Sequence, residues 1–221
     1  MSDQHAAERG RYDALLAEIR ERRSVRRFVD APVPEEDVQR LLEAARWAPS
    51  PTNRQPWRFC VVRDARTRER MRAAVESASR AAATAAGGEL RDVLGPYADW
   101  FTTFADAPVV IAVLARRPST VAARLGAGLT DNERAAFAGD LPAVGAAVQN
   151  LLLAAHALGY GACWMAGPVL AAGELREVLG APSTLDLLAL IPVGRPGERP
   201  EPPPRRELAK LLVGTKEPAR E

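Results

Sequence analysis

Two cysteines and two histidines among 221 residues leave several kinds of chemistry without reagents. Cys60 and Cys163 each lie in an apolar, strand-like context, and two such thiols do not make a disulfide framework. His156 is the internal histidine and His5 belongs to the N-terminal tail. With no HExxH pair and no clustered carboxylates, neither metal-dependent hydrolysis nor a nucleophile–histidine–acid triad has candidates, and no metal ligands are assigned. LGAGL (125–129) lacks the third glycine and the preceding strand of a dinucleotide fingerprint. No uninterrupted apolar run reaches the roughly 18–20 residues of a membrane span. The nearest approach, residues 142–158, carries Gln149, Asn150 and His156. The opening MSDQHAAERGRYD is polar and lacks the apolar centre of a signal peptide, so a soluble, cytoplasmic protein is expected. Bulk charge singles out no partner either: Lys+Arg 30 against Asp+Glu 28 leaves +2, which argues against nucleic-acid binding.

The positive charge is concentrated locally. Arg20, Arg22, Arg23, Arg26 and Arg27 surround one hydroxyl, Ser24, in RERRSVRRF (20–28). Side chains of an extended segment repeat every two residues, so Arg22, Ser24 and Arg26 point to one side. Two guanidinium forks and a hydroxyl converging on one point form a receptor for a dianionic phosphate. The bland alternative is a solvated basic turn after a helix C-terminus. Further on, APSPTNRQPW (48–57) is a polar, Pro-rich loop leading into an apolar strand. Its Pro49, Ser50, Pro51, Asn53 and Gln55 offer backbone and amide groups to a planar heterocycle. Its Pro and Asn content also suits an ordinary helix stop and turn.

No linker interrupts residues 15–195, which predicts a single domain over 11–213, with flexible ends at 1–10 and 214–221. Apolar spacing predicts helices over 12–22, from Pro34 to Pro49, over about 65–83, 89–104 and 171–180, and a buried helix over 142–158. Strands are predicted over 59–62, 108–115, 161–166 and 185–194. Residues 81–88 read as flexible, 118–140 as a loop or short helices near the site entrance, and 196–204 as polyproline-like. The elements alternate only loosely. That favours an α+β fold, a central mixed sheet flanked by helices with an extended C-terminal arm, over a doubly wound one.

RRSVR and APSPTNRQPW, taken with ACWMAGP (162–168) and IPVGRPGERPEPPPRREL (191–208), resemble the nitroreductase family of flavin-dependent oxidoreductases over most of residues 15–212. The resemblance implies a nitroreductase-like fold and an obligate homodimer with FMN sites at its interface. The arm, 195–213, would wrap the partner; a Pro-rich tract cannot form a core of its own and must lie on some surface. It further implies that Arg22, Arg23, Ser24 and Arg26 hold the FMN phosphate and ribityl chain. Arg205 would add another cationic contact, with neighbouring Arg206 leaving open which of the two turns inward. Pro49, Ser50, Pro51, Asn53 and Gln55 match the loop that contacts the flavin. Trp164, Met165, Ala166 and Gly167 match the strand end beneath the isoalloxazine, Ala166 offering its backbone N–H to N5. Three positions depart from the family pattern. Pro51 lacks an N–H, Ala166 carries a methyl where some relatives carry a hydroxyl, and Pro203 stands where a basic residue is common. Structurally, Trp164 and Met165 could equally be core, and the arm an SH3-type ligand.

With no acid–base machinery in the chain, a flavin would carry the chemistry and no protein side chain is assigned a catalytic role. The resemblance implies a ping-pong cycle in which NADH or NADPH binds transiently, reduces FMN and leaves before an electron-poor nitroaromatic or quinone enters the same pocket. Arg23 or Arg26 would supply positive charge near N1. A dehalogenase-like or flavin-cleaving, dimethylbenzimidazole-forming enzyme is an alternative. Residues 75–94, where a deiodinase lid would lie, have Glu76 but lack its Tyr. A non-catalytic flavin-binding or redox-sensing protein is the alternative of another class.

Overall fold

Two strands with almost uninterrupted apolar sequence organise the molecule. VVIAVLAR and LDLLALIPVG become β2 (Val109–Arg116) and β4 (Leu185–Gly194), which are buried along nearly their whole length. A strand covered on both faces must be apolar at successive positions rather than alternate ones. The structure, a computed structural model, describes residues 2–85, 100–116, 128–130, 133 and 140–214. Its sheet runs β1-β2-β4-β3, with β1 (Trp57–Val62) and β3 (Gly161–Ala162) outermost. All three ladders are antiparallel. The α+β class is as expected, but the sheet, expected to be mixed, is antiparallel among the described residues; the parallel pairing of Ser24 with Ala162 is an isolated bridge outside the named strands.

Successive side chains of the central strands face opposite layers. Ile111, Val113, Ala189 and Ile191 join a core with α2 (Glu35–Arg46) and α4 (Asp140–Ala157). Val110, Ala112, Leu114 and Leu190 join a second core with α3 (Ala65–Ala85) and α5 (Ala172–Leu179). Helix α2 buries Val38, Leu41 and Ala45 at i, i+3 and i+7, and carries Glu35, Glu36 and Asp37 in its first turn. Those carboxylates oppose the positive end of its dipole.

Several boundaries differ from the sequence expectation. Helix α1 runs Ser2–Glu21, so residues 2–10, expected to be flexible, continue the helix. Within 161–166 only Gly161 and Ala162 form a ladder; Met165 rejoins the sheet by one bridge to Leu190, its N–H and C=O both bonded at 3.0 Å. The register to β4 is the same at both points, and the alternation buries Cys163 and Met165 and exposes Trp164. Helix α4 buries Ala143, Val144, Ala147, Val148, Leu151, Leu152 and Ala155, whereas Leu141 and Gln149 are exposed. Asn150 satisfies its amide by donating to the Ala44 carbonyl at 3.2 Å, and exposed Gln149 has no such need. Residues 81–85 belong to α3 and 100–102 are helical. The remainder of the expected flexible stretch and helix over 86–99, most of the 118–140 segment, and the tail over 215–221 lie outside the described residues.

Candidate functional site

The bridge from Ser24 to Ala162 fixes where the arginine cluster sits. Val25 is buried, and its N–H donates to the Ala162 carbonyl at 3.1 Å, holding residues 22–26 extended along the outer edge of β3. The period of two then sorts the arginines. Arg22, Ser24 and Arg26 all act on the Cys163 thiol beside them. Burial pushes that thiol's pKa up, while Arg26, the Ser24 hydroxyl and Arg22 pull it down. Arg23 turns elsewhere: its Nη1 donates to the carbonyls of Arg20 at 2.5 Å and Arg22 at 2.9 Å. It lines a separate cavity of about 420 Å³ with His156, Tyr160 and the arm residues Glu198 to Glu201. That cavity mixes Glu21, Glu198 and Glu201 with Arg23 and Arg199, so it offers no net attraction for an anion.

Arg22 and Arg26 gather here beside one carboxylate, Glu198, whose charge also acts on the Cys163 thiol. Burial lowers the Arg22 pKa first, and the like charges of Arg205 and Arg23 lower it further. None of Arg22, Arg26 and Arg205 forms an ion pair with a described residue. Arg22 is partly desolvated and repelled by Arg205 and Arg23, so an anion that enters beside it is stabilised. Arg205, exposed on the arm, lies near enough to Arg22 for its charge to act there.

Arg26 connects the cluster to a cleft of about 320 Å³, lined also by Trp100, Phe101, Trp164, Met165, Ala166 and Gly167. The Arg26 guanidinium stacks over the Trp100 ring, 5.0 Å from its centre. Its backbone N–H and that of Arg27 donate to the Glu198 carboxylate at 2.9 and 3.3 Å. Met165 is buried under the cleft, while Trp164 and Ala166 are exposed to it. Gly167 lets the Phe101 ring approach; a Cβ there would lie 2.1 Å from its Cδ1. Trp100 and Phe101 carried no signal in the sequence, because neither belongs to a motif; Glu198 lies within the 191–208 segment, but nothing local marked it as a partner of the Arg26 and Arg27 backbone.

The loop after α2 stands apart. Pro49, Pro51 and Asn53 are exposed, with Ser50 and Gln55 half-buried. Thr52, Asn53 and Gln55 adopt positive φ of 49°, 55° and 47°, and they are the non-glycine residues in that region among those described. Such conformations cost on the order of 1 kcal/mol or more each and concentrate at functional sites. The Gln55 N–H donates to the Ser50 hydroxyl at 3.0 Å, and the Gln55 amide to Asn53 Oδ1 at 3.2 Å. Among the described residues no hydrogen bond or ion pair joins this loop to Arg22–Arg26 or to Trp164–Gly167. One chain thus brings the arginines and the aromatic cleft together and leaves the loop outside them. No group of acidic, histidine or cysteine residues suited to a metal occurs among the described residues, and no helix there is long and apolar enough to cross a membrane.

Residues 19–195 match the family model described as Nitroreductase family. A Thermus thermophilus protein named NADH dehydrogenase is 34% identical over 206 residues, covering 91% of this chain and 95% of that one. Among solved structures, a BluB-like flavoprotein from Clostridium difficile superposes with TM-score 0.75 at 25% identity, covering 91% of this chain and 99% of its own. Iodotyrosine deiodinase bound to FMN and 3-iodo-L-tyrosine superposes with TM-score 0.70 at 27% identity, covering 92% and 99%.

Proposed function

The chain belongs to the nitroreductase family, and from that premise we propose that it is a cytoplasmic, homodimeric FMN oxidoreductase. It passes reducing equivalents from NADH or NADPH to an electron-poor nitroaromatic or quinone by a ping-pong cycle. The observation that carries this reading is that Arg22, Ser24 and Arg26 face one side at Cys163, with Arg205 near Arg22, and are continuous through Arg26 with an aromatic cleft. A phosphate monoester attached to a planar ring system fits both parts, charge to the cluster and ring to the cleft. Bound FMN supplies the hydride and electron transfer. Arg22, Ser24 and Arg205 hold its phosphate end. Arg26 contributes the positive charge inside the cleft; Arg23, folded back on the Arg20 and Arg22 carbonyls, is not placed for that role. Met165 and Gly167 form the cleft floor, Trp164 bounds it, and Ala166 presents a methyl group and a backbone N–H. With no hydroxyl at Ala166, no side-chain proton is available there.

Several surfaces favour the dimer. Tyr12, Leu15 and Ile19 form an exposed apolar stripe on α1, and Leu208, Leu211, Leu212 and Val213 are exposed on the arm. Residues 201–214 are exposed throughout. Such apolar surface is stabilised by covering it with a second copy, the single domain over 11–213 lending its arm (195–213) to the partner. In a dimer of that kind, Pro49, Ser50, Pro51, Asn53 and Gln55 complete the flavin site of the other subunit, which accounts for their separation from the cluster of their own chain. The two free thiols, Cys60 and Cys163, suit a reducing cytoplasm.

The absorbance spectrum of the purified protein tests the reading. A yellow protein bleached by NADH or NADPH, recoloured by a quinone and returning intact FMN, is expected. A colourless protein that takes up no FMN would refute the flavin. Recolouring with loss of FMN would indicate flavin cleavage, and binding without turnover a sensing role.

A further inference from the structure

Three polar cross-links join α2 and the loop after it to α4 and the turn after it, in antiparallel order. Asp37 at the start of α2 accepts the Tyr160 hydroxyl, just beyond α4, at 2.5 Å. The Ala44 carbonyl near the end of α2 accepts from Asn150, midway along α4, at 3.2 Å. Arg54 Nη2, in the loop, donates to Asp140 Oδ2, at the first residue of α4, at 2.5 Å. The first two lie where apolar packing already fixes the helices. The third does not, because Pro51, Thr52, Asn53 and Arg54 are exposed and none belongs to the buried cores among the described residues.

Among the described residues, every other hydrogen bond that shapes residues 50–55 is internal or adjacent to the loop. The Ser50 hydroxyl meets the Gln55 N–H, the Gln55 amide meets Asn53, and the Gln55 carbonyl accepts from Arg58 of β1. These contacts set the loop's shape and leave its placement against the helix layer free. Three residues in the left-handed region would relax if nothing held them. The Asp140 side chain is 4% exposed, and its Oδ1 has no hydrogen-bond partner among the described residues. Its charge is balanced by Arg54, whose own side chain is 36% exposed. A buried carboxylate with one cationic partner is strongly destabilised by losing it, which makes the tie hard to open.

We infer that Arg54 and Asp140 are a positioning pair, which clamps the strained loop 50–55 to the start of α4 and so presents Ser50, Asn53 and Gln55 preformed to the flavin. The inference rests on the flavin reading above. Neither residue touches the cofactor in this scheme; both act through the loop.

The variants Arg54→Gln, Arg54→Lys and Asp140→Asn test it, with two readouts. The first is amide hydrogen exchange over residues 50–56 in protein stripped of FMN. The second is the FMN dissociation constant together with the visible circular dichroism of the bound flavin. Arg54→Gln and Asp140→Asn should each speed exchange in the loop while leaving β1 protected. They should also weaken FMN by about tenfold or more, the scale of one charge-assisted bond, and change the dichroism band. Arg54→Lys, which keeps the charge, should recover most of both losses. Should Asp140→Asn fail to fold, the half-exposed Arg54 variants carry the test alone. Unchanged loop exchange in Arg54→Gln overturns the clamp. Faster exchange with wild-type FMN affinity and dichroism overturns its positioning role. If the wild type itself takes up no FMN, the flavin reading falls and the positioning role with it, while the exchange data still show whether the pair clamps the loop.

Discussion

At Gly161 the placement of the arginine segment depends directly on packing. A Cβ added there would lie 2.6 Å from Val25 Cγ1, 2.7 Å from its Cβ and 3.0 Å from its Cγ2. Carbon atoms settle at about 3.5–4.0 Å, so Gly161→Ala obliges Val25 to retreat by roughly 1 Å. Val25 has nowhere easy to go, being buried and bonded through its N–H to the Ala162 carbonyl at 3.1 Å. A shift of that size stretches this bond beyond a useful length and moves Ser24 and Arg26, on either side, with it. Overpacking of this kind costs about 1–3 kcal/mol, and for a chain of this length each kcal/mol lowers Tm by about 2–4 °C. Misplacing one charge-assisted contact to phosphate should weaken FMN by about tenfold or more. Gly173→Ala is the matched control. It adds the same methyl group to α5, where nothing lies within 4 Å, and should be neutral or slightly stabilising. Thermal unfolding followed by circular dichroism, with fluorescence titration of the stripped protein by FMN, measures both effects. Wild-type Tm and affinity in Gly161→Ala, or equal losses in Gly173→Ala, would refute the reasoning.

Arg22→Glu places a carboxylate in the cation cluster; the purified protein should lose its yellow colour while its far-UV spectrum stays native, and retained FMN would show that Arg22 does not hold it. The Tyr160 hydroxyl, followed by Arg40, holds Asp37 below the ordinary carboxylate pKa against the opposing effect of burial. A depressed folded-state value contributes stability above the unfolded pKa of about 4, which is lost as pH falls through the folded one. Tyr160→Phe should accordingly lower Tm at pH 7, with the difference from wild type shrinking below about pH 4; a pH-independent difference would contradict this origin. Leu211→Asp with Leu212→Asp should convert the dimer to monomer in light-scattering measurements and lower FMN affinity at the same time; an unaltered dimer would show that these side chains do not seat on a partner.

The arginine segment was legible in the sequence because its chemistry is local. Alternation in an extended chain is enough to bring Arg22, Ser24 and Arg26 to one side, and their common influence on Cys163 agrees with that. The central strands were legible for a similar reason, β4 to the residue. The limits of the 161–166 strand were not. Whether Cys163 and Trp164 stay in the ladder depends on how closely the chain is held against β4 between two pairing points, which no local preference encodes.

The apolar period, the order of elements and the receptor-like arrangement of charges are properties of neighbouring residues, and the primary structure alone determined them. The separation of Arg23 from its neighbours' task, the aromatic wall of Trp100 and Phe101, and the reach of Arg54 to Asp140 across 86 residues were decided only when the chain closed on itself. Each depends on which distant group occupies the space beside a side chain, and that is set by the packing of the sheet and its two helix layers.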